Sequence, residues 1–264
     1  MARQKLGQHF LISGRILERI ATAACGERVP LAVEIGPGRG ALTEHLLAHA
    51  DRVAAIELDP ELAQHLRERW WQQGPDESRL EILEANALDS DLSQWGAGVL
   101  AGNLPYYVAT PIISRFVRSP GKLSAGVFLI QKEVAERITA KPGVKEYGYF
   151  SVECQFFAKV EYLFTVPPGA FRPPPKVDSA VIRMTPRDTL PGDGAFADTD
   201  GFLKFVSACF RQKRKTLRNN LAGSYPAERM EGRADVGRQM SRRAEQLSGE
   251  EFVELYGALS EGPL

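Results

Sequence analysis

Apolar residues along the chain fall into two kinds of pattern. Short continuous runs, "LAVEI" at Leu31–Ile35, then "RVAAIELD", "LEILEANAL", "GVLAGNLPYY" and "AGVFLIQ", alternate with stretches whose apolar positions recur every three or four residues. The runs predict strands and the periodic stretches predict helices. Their alternation predicts βαβ units and an open, mainly parallel sheet, and near-continuous apolar strands fit burial on both faces. The first helix is predicted in "ISGRILERIATAA", with Ser13 placed to cap it. Asp59–Pro60 starts another by a capping residue followed by Pro at the first helical position, and Thr110–Pro111 opens a third. "KEVAERITA" continues the fifth strand as a helix.

The pattern shifts after about residue 150. "SVECQFFAKVEYLFTV" and "KVDSAVIRMTP" both read as extended, which predicts antiparallel strands at the end of the sheet. Between them "PPGAFRPPPKVD" is too rich in proline for a helix or an inner strand. "PRDTLPGDGAFADTD" (Pro186–Asp200) reads as a linker, and beyond it only helical patterns remain: "GFLKFVSACF", "KRKTLRNNLA" and "SGEEFVELYGAL", the last capped at Ser248. The expected organisation is an α/β domain over residues 1–185, a linker over 186–200 and a small all-helical domain over 201–264.

Bulk composition adds exclusions. The chain has 264 residues, 44% hydrophobic and 25% charged, which allows one large domain with a smaller appendage. Lys plus Arg and Asp plus Glu both number 33, so a nucleic-acid partner must be argued from local patches and not from net charge. Three widely spaced cysteines, Cys25, Cys154 and Cys209, offer no metal spacing and read as reduced thiols of a cytoplasmic protein. "MARQKLGQHF" has no apolar stretch behind it, so neither a signal peptide nor a membrane partner is expected. His45 and His49 lie four apart on a predicted helix and His65 on another; with no third ligand they read as surface or half-buried histidines, and no metal is expected.

The candidate chemistry lies in the turns after the predicted strands. Gly36, Gly38 and Gly40 follow one strand and open a helix, where glycine lets backbone amides approach a ligand. The spacing G-P-G-R-G disfavours the dinucleotide fingerprint and hence an NAD oxidoreductase. Glu57 ends the next strand about 20 residues on, where a carboxylate can accept hydrogen bonds from both ribose hydroxyls. Asn86 closes a third strand and can read an adenine edge or cap a turn. Asn103, Leu104, Pro105 and Tyr106 close the fourth, on the rim where open α/β sheets bind ligands. The Asn103 side chain and the Leu104 carbonyl are two acceptors, and an exocyclic amine has two hydrogens to give. Held by both, its lone pair is aimed at an electrophile, and Tyr106 offers a face for the base, a contact worth on the order of 1–3 kcal/mol. Tyr107 has no evident role. "FRQKRKTLRNNL" (Phe210–Leu221) reads as a basic helix, and Arg211, Lys213, Arg214, Lys215 and Arg218 suggest contact with a phosphate backbone. Lys132, Arg137, Lys141 and Lys145 form a looser patch.

Taken together and in order, "KLGQHFL", "VEIGPGRGALT", "IELD", "GNLPYYVATPI", "LIQKEVAERI", "YGYFSV", "AFRPPPKVDSAV" and "RQKRKTLRNNL", spanning Lys5 to Leu221, resemble the small-subunit ribosomal RNA adenine N6,N6-dimethyltransferase family. The resemblance implies a Rossmann-like methyltransferase domain with S-adenosylmethionine as donor. It implies that His9 and Leu11 close over the cofactor. Gly36 and Gly38 would lie by its methionine part, Glu57 on its ribose and Asn86 near its adenine. It implies that Asn103, Leu104, Pro105 and Tyr106 grip the target adenine, with Phe171 stacking on the other side. The implied substrate is two adjacent adenosines near the 3′ end of small-subunit RNA in an assembling 30S particle, and a monomer is expected. A large-subunit methyltransferase of the resistance type and an assembly factor that acts mainly by binding are the competing expectations.

Overall fold

The computed structural model describes residues 9–72, 79–119, 123–192 and 198–260. They divide into two units, one of Met1–Ala135 with Ala158–Pro186, the other of Glu136–Phe157 with Arg187–Leu264.

The first unit holds strands β1 (Phe10–Leu11), β2 (Val29–Ile35), β3 (Ala50–Glu57), β4 (Leu80–Glu84), β5 (Val99–Asn103), β6 (Ala125–Gln131), β7 (Ala158–Val166), β8 (Phe171–Arg172) and β9 (Ser179–Pro186). Seven of them form one sheet in the order β4-β3-β2-β5-β6-β9-β7, and β1 pairs separately with β8. The first five strands of that order are parallel, and β9 runs antiparallel to both β6 and β7. The helix α1 (Gly14–Cys25) leads into β2, and α2 (Ala41–His49), α3 (Pro60–Gln72) and α4 (Ala109–Arg118) connect parallel strands. The predicted α/β fold with a mainly parallel sheet is therefore present.

Burial explains why the strands form where they do. Val127, Phe128, Leu129 and Ile130 of β6 are all buried, as are Val53, Ala54, Ala55 and Ile56 of β3, so successive residues that point to opposite faces are both covered. α1 buries Leu17, Ile20, Ala21 and Ala24, one stripe at helical spacing. Asp59 caps α3, its Oδ1 accepting from the Glu61 amide at 2.9 Å. At α1 it is the Ser13 carbonyl and not its hydroxyl that accepts, from the amides of Ile16 and Leu17. His45 Nδ1 and His49 Nε2, both half-buried, meet the two oxygens of Glu18 at 2.8 and 2.7 Å, so these histidines join α2 to α1.

The second unit contains α6 (Tyr149–Phe157), α7 (Thr199–Cys209), α8 (Leu217–Leu221), α9 (Ala227–Glu231), α10 (Ala234–Met240) and α11 (Gly249–Ser260); α5 (Lys132–Thr139) straddles the boundary. Ser248 and Glu251 cap α11 reciprocally, at 3.1 and 2.8 Å. Two expectations differ from this arrangement. "SVECQFF" is helical, not extended: Val152 and Phe156, four residues apart, bury one face, and the Phe156 ring lies 4.6 Å from that of Phe202. Gln155 then satisfies the Ile138 and Ala140 carbonyls at 2.9 and 2.8 Å. For the same reason the expected domain ending at residue 185 is interrupted, because Glu136–Phe157 packs with the C-terminal helices.

Gly102, near the end of β5, lies against β2: a Cβ built there would stand 2.6 Å from the Ile35 carbonyl oxygen. Gly102→Ala is expected to destabilise the protein by about 1–3 kcal/mol in chemical denaturation, since backbone must move to admit it. Gly237→Ala in α10, with no atom within 4 Å of the new Cβ, is expected to be neutral or to stabilise.

Candidate active site

The order of the sheet reverses between β2 and β5, whose chains leave in opposite directions and open a crevice at their carboxyl ends. A cavity of about 420 Å³ lies there. His9, Leu11, Gly36, Gly38, Glu57, Asn86, Asn103, Leu104, Pro105 and Tyr106 all line it, so ten of the residues singled out in the sequence meet around one space.

The turn after β2 places Gly36 and Gly38 at φ of +67° and +59°, a region costly to any side chain. The Gly36 amide closes on the Ile56 carbonyl at 3.0 Å, and the Gly38 amide donates to Glu57 Oε2 at 3.0 Å. Glu57 Oε1 accepts from the Asp59 amide at 2.9 Å. Each oxygen of this buried carboxylate thus takes a backbone donor. Burial pushes the Glu57 pKa up, against the pull of the backbone amides of Asp59, Gly38 and Leu58.

Asn86 is more committed than its sequence suggested. Its Oδ1 accepts from the Leu88 amide at 3.1 Å and its Nδ2 donates to Asp89 Oδ2 at 2.8 Å. It therefore caps its own turn while lining the cavity, and Asp89 fixes which way the amide faces.

The "GNLPYY" loop is held from three sides. Asn103 Nδ2 donates to the His9 carbonyl at 3.0 Å, which orients Oδ1 as the acceptor left over. The Leu104 amide donates to the Leu129 carbonyl at 3.1 Å, and among the described residues no donor reaches the Leu104 carbonyl itself. Tyr106 Oη and Ser179 Oγ are 2.8 Å apart, and the His9 ring stands 5.8 Å from the Tyr106 ring, tilted by 35°. His9 Nδ1 is 2.8 Å from the Pro173 carbonyl oxygen. A Cβ built at Gly38 would stand 3.1 Å from Phe10, so the β1 segment lies against the glycine turn.

Phe171 is placed elsewhere than expected. It is 1% exposed, packs in the core of the first unit and does not line the cavity; its neighbour Arg172 does. In β8, paired with β1, successive side chains point to opposite sides, and Phe171 takes the inward one. It is therefore not a stacking face for a base in this structure. The basic stretch also differs: α8 covers only Leu217–Leu221, and Arg211–Lys215 lie ahead of it in turns. The buried Asn220 amide donates to the Cys209 and Gln212 carbonyls at 2.7 and 3.2 Å and accepts from the Gln212 amide, replacing helical bonds. Arg211, Lys213, Arg214, Lys215 and Arg218 are all exposed, with Arg218 paired to Glu231. Among the described residues no group of three or more His, Cys, Asp or Glu converges to hold a metal ion, and no helix is long and apolar enough to cross a membrane.

Two cavity features escaped the sequence reading. Ser179, within "KVDSAV", orients Tyr106. Glu34, a lone acid in an apolar strand, is 1% exposed, lines the cavity and accepts from Thr43 Oγ1 at 2.6 Å.

A Rossmann-like sheet with a glycine turn, an acid after the next strand and an Asn-Leu-Pro-Tyr loop at the switch point defines a methyltransferase. The sequence profile described as ribosomal RNA adenine dimethylase matches residues 1–261. The ribosomal RNA small subunit methyltransferase A of Acidobacterium capsulatum is 40% identical over 98% of this chain and 92% of its own. A dimethyladenosine transferase from Plasmodium falciparum superposes with a TM-score of 0.79 at 25% identity, covering 94% of this chain and 96% of that one. The 23S rRNA methyltransferase ErmE gives 0.73 at 25%, covering 96% and 100%. The chain belongs to the ribosomal RNA adenine dimethylase family and is a methyltransferase.

Burial moves the Glu34 pKa from the ordinary 4.5 to about 8, with the Thr43 hydrogen bond opposing and the Glu57 charge reinforcing the shift. The folded protein therefore retains a proton that the unfolded chain loses, and stability falls as pH rises from 4.5 through about 8. Glu34→Gln is expected to flatten that slope in denaturation curves measured across the window; a slope equal to the wild type's would show that Glu34 is ionised in the fold.

Proposed function

We propose that the protein transfers methyl groups from S-adenosylmethionine to N6 of two adjacent adenosines near the 3′ end of small-subunit ribosomal RNA in the cytoplasm, acting as a monomer on an assembling 30S particle. The orientation of Asn103 carries this reading. Its Nδ2 is committed to the His9 carbonyl, so Oδ1 and the neighbouring Leu104 carbonyl are two acceptors at the cavity, the set that a planar amine with two hydrogens needs. Accepting both N–H bonds draws the N6 lone pair out of conjugation and aims it. Tyr106, its hydroxyl held by Ser179, presents an aromatic face to the base.

The cavity fits the donor: Gly36 and Gly38 leave backbone bare where a Cβ would stand, and the Glu57 carboxylate faces the cavity as an acceptor for a ribose hydroxyl. Gly36, Gly38, Glu57, Asn86, His9 and Leu11 would hold it. Bound S-adenosylmethionine supplies an electrophilic methyl group on a sulfonium. Asn103 Oδ1 and the Leu104 carbonyl would hold the neutral amine that accepts this methyl group and then releases its proton, so no strong base is required. A second round on the same nitrogen gives N6,N6-dimethyladenosine.

The name shared by the curated relatives favours the small-subunit target over the large-subunit one. The exposed Arg211, Lys213, Arg214 and Lys215 supply charge for the RNA backbone.

Asn103→Ala is expected to lower methyl transfer to undermethylated small subunits on the order of a hundredfold, as when one preorganised polar contact is lost. Calorimetric binding of S-adenosylmethionine should persist. Transfer at the wild-type rate would overturn the reading.

A further inference from the structure

No step of the transfer uses Tyr107, although it lines the same cavity. It is 58% exposed, the largest exposure among the large apolar side chains described, and among the described residues its hydroxyl has no hydrogen-bond partner. Its neighbour is treated differently. The turn closed by the Val108 amide on the Pro105 carbonyl, at 3.0 Å, puts Tyr106 and Tyr107 at its centre. Tyr106 reaches the buried Ser179, while Tyr107 stands in solvent at the cavity mouth. The exposed Arg39 and Arg172 also belong to the cavity lining, Arg39 over the Phe10 ring and Arg172 donating to the Phe171 carbonyl.

Scattered exposed apolar residues need no explanation, but a bare ring at the entrance of a site for a nucleobase does. To bring one base of a single strand into a cavity, its stack with the next base must be broken. An aromatic ring beside the cavity offers the exposed neighbour a replacement face, and any base can use it, purines best.

We infer that Tyr107 is the stacking platform for the nucleobase adjacent to the target adenine, which makes it a specificity-determining residue that favours a flanking purine in single-stranded RNA. The inference rests on the proposed adenine N6 methylation.

Initial rates on undermethylated small subunits separate the possibilities. Tyr107→Ala is expected to raise KM for RNA by roughly tenfold, the scale of one lost base–aromatic stack, with kcat and cofactor affinity unchanged. Tyr107→Phe should restore the wild-type KM. In anisotropy titrations, wild-type protein should bind single-stranded oligoadenylate more tightly than the same strand with abasic nucleotides flanking its central adenosine. Tyr107→Ala should lose that preference. A wild-type KM for Tyr107→Ala, an unaltered preference, or failure of the Phe variant to restore binding would overturn the inference while wild-type activity stands. A wild-type protein inactive on small subunits would overturn the methylation reading and this inference with it.

Discussion

The close approach of β2 and β5 at their carboxyl ends is the constraint on which the site depends. Gly102 admits the Ile35 carbonyl where a side chain could not fit, and the two chains then diverge. The glycine turn issues from one strand and Asn103 ends the other, so the spacing of these backbones sets the separation between that turn and the Asn103 and Leu104 acceptors. Neither helices nor loops could fix that distance as firmly, because the strands are buried on both faces and hydrogen-bonded along their length.

Within that crevice the polar groups divide by environment. Glu57 sits among backbone amides that favour its charge, whereas Glu34 meets one hydroxyl and otherwise apolar surroundings. Two carboxyls of the same cavity therefore differ in how strongly they resist ionisation, and of the two Glu57 is the one furnished with backbone amide donors. The Asn103 amide and the Leu104 carbonyl are uncharged acceptors, which suits the proposed transfer to a neutral amine.

Much of this was legible in the sequence, for definite reasons. Parallel strands buried on both faces write themselves as unbroken apolar runs, and a ligand at the end of such strands must meet the glycines, Glu57 and Asn103 that follow them. What was not legible depended on partners distant in the chain. "SVECQFF" reads as strand or helix until Phe202 is known to cover Phe156. Phe171 faces core or cavity according to its pairing with β1, which no local pattern specifies. The basic stretch loses its helix to one side chain, Asn220, eight residues from the Gln212 it holds. Ser179 is a small residue in a strand until Tyr106 is placed opposite it.

The bond between Asn103 and the His9 carbonyl couples two parts of the crevice. His9 belongs to the short segment that lies along the glycine turn and is fastened to the Pro173 carbonyl and to β8. A displacement of that segment would break the bond that aims the Asn103 amide. The direction of the Asn103 amide and the placement of the β1 segment are thus one structural state, fixed by a single hydrogen bond.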